Sequence, residues 1–109
     1  MRFALAALLC SAAAVSTTAA APAPRTHTVT IDASRFTPAR LTVAPGDTVV
    51  WKNADMFPHT ATSTVRAFDS KEIAPGKSWA YVAKRKGVLD YLCTLHPSMK
   101  GSIRVTSGP

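Results

Sequence analysis

The sequence predicts an all-β fold, an antiparallel sandwich or barrel of short strands. Three observations carry this reading. Short segments alternate apolar and polar side chains, the period of a half-buried strand. The tetrapeptides Ala44-Pro45-Gly46-Asp47 and Ala74-Pro75-Gly76-Lys77 place Pro second and Gly third, which suits a type II turn, and each leads into a strand pattern. Past the N-terminal apolar run, no helical stripe of useful length occurs.

The strands follow in order. His27-Thr28-Val29-Thr30-Ile31 alternates polar and apolar, and so does Arg40-Leu41-Thr42-Val43. Thr48-Val49-Val50-Trp51-Lys52 is rich in β-branched and aromatic residues, as a pleated surface prefers. Ser78-Trp79-Ala80-Tyr81-Val82 comes next, then the basic turn Lys84-Arg85-Lys86-Gly87. In Val88-Leu89-Asp90-Tyr91-Leu92-Cys93, a period of two puts Leu89, Tyr91 and Cys93 on one face. Asp90 belongs in solvent, so the Cys93 face points to the core. Ser102-Ile103-Arg104-Val105 closes the chain with Ile103 and Val105 inward. One wet face per strand fits sheets that cover a core on one side only.

The N-terminus reads differently. A basic start at Arg2, an apolar run from Ala4 to Val15 and a small-residue exit through Ala21 form a secretory signal. The run is too short for a permanent membrane helix. Residues 1–20 are expected to be removed, with Ala19 and Ala20 favoured as the cleavage sites over Ala21, which Pro22 follows. Cys10 lies deep in the apolar run behind Leu8 and Leu9, not behind small residues as in a lipoprotein signal, and would leave with the leader. Residues 21–109 then form one domain of periplasmic or secreted location, with a formal charge falling from +7 to +6 as Arg2 is lost. One cysteine, Cys93, remains. An exported protein usually pairs its cysteines, so an odd one signals an intermolecular bridge, a reactive thiol or a metal ligand.

The chemistry concentrates in Cys93-Thr94-Leu95-His96-Pro97-Ser98-Met99. Thiolate, imidazole and thioether sit two residues apart at a strand end and in the following loop. Taken singly, the cysteine reads as core, the methionine as filler and the histidine as surface. Taken together, they form a soft set that suits copper better than magnesium or calcium. A trigonal copper site needs a second imidazole, and His59 in Phe57-Pro58-His59-Thr60 is its donor. His27, near the expected mature N-terminus, reads as an ordinary solvated residue. Met56, Phe57, Pro58, Leu95 and Pro97 flank the two histidines and are expected to form an apolar rim where a partner docks.

On Val49-Val50-Trp51-Lys52-Asn53, the Pro58-His59 pair and the stretch from Asp90 to Gly101, the chain resembles the cupredoxins. Its short Cys-x-x-His-x-x-Met spacing resembles the amicyanin type; pseudoazurin and plastocyanin are more distant. The resemblance implies a Greek-key β-sandwich of about eight strands binding one copper ion. His59, His96 and Cys93 would be the equatorial ligands and Met99 the weak axial one. Where many relatives have Asn after the first histidine ligand, this chain has Thr60. Its backbone N–H can still reach the Cys93 sulfur, with a different side-chain tie. Leu92 stands where plastocyanin has a tyrosine, so the His96 loop is the expected electron gate.

The function expected is a soluble electron carrier, with no enzymatic activity. Enzymes need an open metal position and acid–base residues, and two of the three histidines are already used. A copper buffer or chaperone is the alternative, though Met-rich or His-rich tails are absent. Nucleic acid is not an expected partner, because basic and aromatic residues do not interleave. The charge instead favours an acidic redox protein docking near His96, or weak contact with an anionic membrane surface. A monomer is expected. The Lys84-Arg85-Lys86 run reads first as a solvated turn.

Overall fold

A computed structural model describes residues 2–4, 6–14 and 22–108 of the chain. The expected cleavage sites, Ala19 to Ala21, lie outside these residues. All six expected strands are present among eight: β1 (Thr26–Asp32), β2 (Arg35–Thr37), β3 (Arg40–Val43), β4 (Thr48–Asn53), β5 (Thr62–Ser63), β6 (Ser78–Val82), β7 (Gly87–Cys93) and β8 (His96–Val105). They form two four-stranded sheets, ordered β2-β1-β4-β6 and β3-β8-β7-β5. The added strands β2 and β5 have three and two residues, too few to show a period.

The sheets are mixed, which corrects the purely antiparallel expectation. β1 pairs parallel to β4 from Thr26↔Thr48 to Ile31↔Asn53, and β3 pairs parallel to β8 from Arg40↔Ser102 to Val43↔Val105. Between β1 and β4 the chain crosses to the other sheet through β3 and returns. Side-chain alternation is the same in parallel and antiparallel strands, so direction leaves no trace in the pattern.

The inner faces meet as their alternation requires. Val29, Ile31, Val49 and Trp51 from one sheet pack with Leu89, Tyr91, Cys93, Ile103 and Val105 from the other, all buried. Trp51 is central, its ring 5.2 Å from Phe68, 5.4 Å from Tyr91 and 5.7 Å from Trp79. The Tyr91 ring lies across Gly101, its partner on β8, so a Cβ at Gly101 would overlap the phenol. Both Ala-Pro-Gly turns form as expected. Gly46 and Gly76 have φ of 92° and 78°, and the N–H groups of Asp47 and Lys77 donate to the carbonyls of Ala44 and Ala74.

The first of these turns is also a clamp. The Asp47 carboxylate accepts from the N–H of Arg25 at 2.9 Å and of Ala44 at 3.1 Å, and lies 2.9 Å from His27 Nε2. His27 is therefore half-buried and paired, a correction to its reading as an ordinary solvated side chain. The parallel register of β1 on β4 brings Arg25 and His27 beside the turn before β4, and no local signal announces it.

Two outcomes follow. Gly101→Ala must displace Tyr91 from the core and should cost about 1–3 kcal/mol, read from the urea midpoint. The N–H of Arg25, then His27, then the N–H of Ala44 hold Asp47 down at about 2, against an ordinary 3.8. A folded-state value below the unfolded one stabilises the fold above the ordinary value, and the gain is lost as pH falls toward 2. Melting temperatures of the metal-free protein should therefore fall more steeply from roughly pH 4 to 2 in the parent than in Asp47→Asn. Equal slopes would remove Asp47 from the account.

Candidate metal centre

One end of the sandwich gathers donor atoms from two chain segments. The first runs from β4 to β5. Asn53, fully buried at the end of β4, donates through Nδ2 to the carbonyls of Phe57 at 2.8 Å and Ile73 at 2.9 Å. Its Oδ1 accepts from the N–H of Asp55 at 2.9 Å. These three bonds fix the loop that delivers His59. The His59 backbone is held again by paired bonds with Ile73, N–H to carbonyl at 3.2 Å one way and 2.7 Å the other.

The second segment is the β7–β8 hairpin. The structure narrows its loop to the two-residue turn Thr94-Leu95, so Cys93 pairs directly with His96. The preceding residue, Leu92, pairs with Lys100. Pro97, Ser98 and Met99 are left without partners and form a bulge on β8. A proline, which has no N–H for the ladder, is tolerated at such a position. His96 and Met99 thus stand at the start of a strand rather than in a free loop, and this is where the last strand outruns its expected start at Ser102.

The donors converge. His59 Nδ1 lies 3.8 Å and His96 Nδ1 4.0 Å from Cys93 Sγ, and one donor atom from each residue falls within 4.8 Å of the others. Cys93 and His59 are fully buried, whereas His96 is exposed. Met99 is buried in the core cluster that includes Cys93. The Thr60 N–H donates to Cys93 Sγ at 3.3 Å. Thr60 Oγ1 accepts from the Thr94 N–H at 2.9 Å and lies 3.1 Å from Thr94 Oγ1, so a threonine pair ties the two segments together.

Sequence reasoning missed one partner. Asp55 Oδ2 lies 2.9 Å from His59 Nε2. The N–H of Ser34 is the main cause that holds this carboxyl below the usual range, followed by His59 and the N–H of Met56. A carboxylate on Nε2 leaves Nδ1 as the free lone pair, aimed at the cluster, and makes the ring a better donor. Asp55 precedes His59 by four residues in an irregular loop, where no period predicts contact.

The set is soft. Two imidazoles, a thiol and a thioether suit copper, while the nearest carboxylate is committed to a ring nitrogen and leaves no oxygen cage for calcium or magnesium. Around the exposed His96, Leu95 is 47% exposed, and the loop before His59 presents Met56 at 84% and Phe57 at 60%. Of the residues expected to form an apolar rim, Met56, Phe57, Leu95 and Pro97 are exposed and Pro58 is half-buried.

Comparison with known proteins agrees with this geometry. Residues 4–105 match the family described as a cupredoxin-like domain. Amicyanin from Paracoccus versutus is 29% identical over 82 residues, which are 71% of this chain and 62% of that protein, so the chain spans less than two thirds of this relative's length. Amicyanin-alpha from Methylorubrum extorquens is 28% identical over 100 residues, covering 87% of this chain and 83% of that one. A purple cupredoxin from Nitrosopumilus maritimus superposes with a TM-score of 0.69 at 26% identity, over 73% of this chain and 99% of its own. A reduced Cu(I) form, at pH 4, of an amicyanin point mutant gives 0.67 at 26% identity, over 72% and 80%. The chain belongs to the cupredoxin-like family, which binds one copper ion.

Proposed function

We propose that this protein is an exported type 1 copper electron carrier, with His59, Cys93, His96 and Met99 as its ligands. The observation that carries the reading is the convergence of His59, Cys93 and His96 within 4.8 Å at one end of the sandwich. Copper held there supplies a one-electron couple between Cu(I) and Cu(II). The chain's own part is to keep the donors still while the charge changes. Asn53 and Ile73 immobilise the His59 loop, Asp55 fixes the tautomer, and the Thr60 N–H draws charge from the sulfur. Buried donors with fixed partners favour retention of the ion over its release, which weighs against a copper buffer or chaperone.

The exposed His96 is the proposed gate, and the rim of Leu95, Met56 and Phe57 the surface on which a redox partner docks. An acidic partner suits the positive chain, and residues 21–109 would work in the periplasm or outside the cell as a monomer after residues 1–20 are removed. The Lys84-Arg85-Lys86 turn stands at the far end of β7 from Cys93, about 20 Å away for a strand of this length. It therefore lies outside any contact centred on His96.

The oxidised protein loaded with one copper should be blue, and Cys93→Ser should abolish the colour because serine supplies no soft thiolate. Colourless protein with stoichiometric Cu(II) would end this reading. Met99→Gln should retain copper and lower the reduction potential, since an amide oxygen favours Cu(II) more than a thioether does. An unchanged potential would take Met99 out of the ligand set. Leu95→Asp should slow electron self-exchange by about tenfold or more, read from NMR line broadening in mixed redox states, with the visible spectrum preserved.

A further inference from the structure

We propose that the outer face of the β3-β8-β7-β5 sheet, together with the Lys84-Arg85-Lys86 turn at its foot, is a docking surface for an anionic phospholipid bilayer. This does not depend on the metal. The strand registers lay out the face in rows. Thr42, Arg104 and Val88 form one row, and Arg40, Ser102 and Asp90 the next; Lys100 and Leu92 follow. Their neighbours along each strand, Leu41, Val43, Ile103, Val105, Leu89 and Tyr91, turn toward the core. Arg40, Lys100 and Arg104 are exposed, as are Lys84, Arg85 and Lys86.

Three strand cations thus share this face, with the three of the turn at its foot; its acids are Asp90 and, at the β5 edge, Asp69, whose Oδ1 accepts from Thr62 Oγ1. None of the six forms an ion pair. Among the described residues, the one pairing of a lysine or arginine with a carboxylate is Lys71 with Asp69, at the β5 edge of the sheet. The opposite sheet has a different outer surface. Thr26, Thr28, Thr30, Thr48, Val50, Ser78, Ala80 and Val82 dominate it, with Arg35, Lys52 and Asp32 the charges. Charge is segregated by sheet, not scattered.

The shape of the cationic strip decides the partner. It extends along the whole of β7, about 20 Å, from the basic turn to Lys100 near the metal end. A globular acidic protein seated on the His96 rim would cover only its upper end, whereas a flat anionic surface meets all six side chains at once. Apolar tips stand among the cations. Val88 is 59% exposed between Arg104 and the turn, and Val65 is 42% exposed beside Arg85, whose guanidinium donates to the Val65 carbonyl at 3.1 Å. Basic residues around small apolar tips suit the boundary between headgroups and acyl chains. With the strands lying along the bilayer, the Thr94-Leu95 turn and His96 sit at the margin of the contact, open to a partner from the side.

The test is sedimentation with vesicles. The full chain is mixed with phosphatidylglycerol or phosphatidylcholine vesicles at low and high salt. Selective partition to phosphatidylglycerol, lost at high salt, is expected; retention of the leader would add only a salt-insensitive background. Replacing Lys84, Arg85 and Lys86 with Ser should weaken the partition by roughly a hundredfold, from about fivefold per cation near an anionic surface. Arg40→Ser with Arg104→Ser should weaken it by roughly 25-fold on the same scale. Arg35→Ser with Lys52→Ser, on the opposite sheet, should leave it unchanged, and far-UV circular dichroism checks the fold of each variant. Equal loss from both sheets would reduce the effect to net charge and overturn the proposal. So would tight binding to polyglutamate without partition to vesicles, the result expected of a surface for an acidic protein.

Discussion

The buried amide of Asn53 is the constraint on which the metal end of this protein rests. Placed at the last position of β4, it uses both amide hydrogens and its oxygen on backbone groups of the following chain. Those groups belong to the loop before His59 and to Ile73, which in turn brackets the His59 backbone. A side chain buried in this way cannot be exchanged cheaply, because removing it leaves three backbone groups without their partner, the Ile73 carbonyl in a buried bond. The position of one imidazole is thereby fixed by the end of a core strand.

Cys93 and His96 owe their positions to a different rule, the register of a hairpin. Cys93 ends an inward-facing series that begins at Leu89, so its sulfur is aimed by the same alternation that builds the core. The two halves are joined by hydrogen bonds of Thr60, one to the sulfur and one to Thr94. Asp55 acts from behind, on the ring nitrogen that faces away from the cluster. The centre is assembled by partners that are themselves part of the fold.

The legible part of this design is the part governed by period and by atom type. Leu89, Tyr91, Cys93, Ile103 and Val105 declare their faces through alternation, and all are buried. The glycine turns declare themselves through conformations that few other residues adopt. His59, Cys93 and His96 stand out because few residue types offer soft donors, and the structure brings those three together. The illegible part depends on which strand lies beside which. Asp47 reaches Arg25 and His27 only because β1 runs parallel to β4, and Asp55 reaches His59 only through an irregular loop. Two strands escaped because three and two residues are too few for an alternation of period two to repeat.

The bulge of Pro97, Ser98 and Met99 has a consequence for how such a protein can change over time. It is bounded on one side by the pair Cys93 and His96, and on the other by the pair Leu92 and Lys100. Residues added or removed between those two rungs would leave Lys100 to Val105 aligned with β3 and β7. The core contacts of Ile103 and Val105 would survive such an edit. The segment that includes Met99 is therefore a replaceable part. The chain can vary the surroundings of its metal end by insertion and deletion, a larger step than point substitution, while every strand keeps its neighbours.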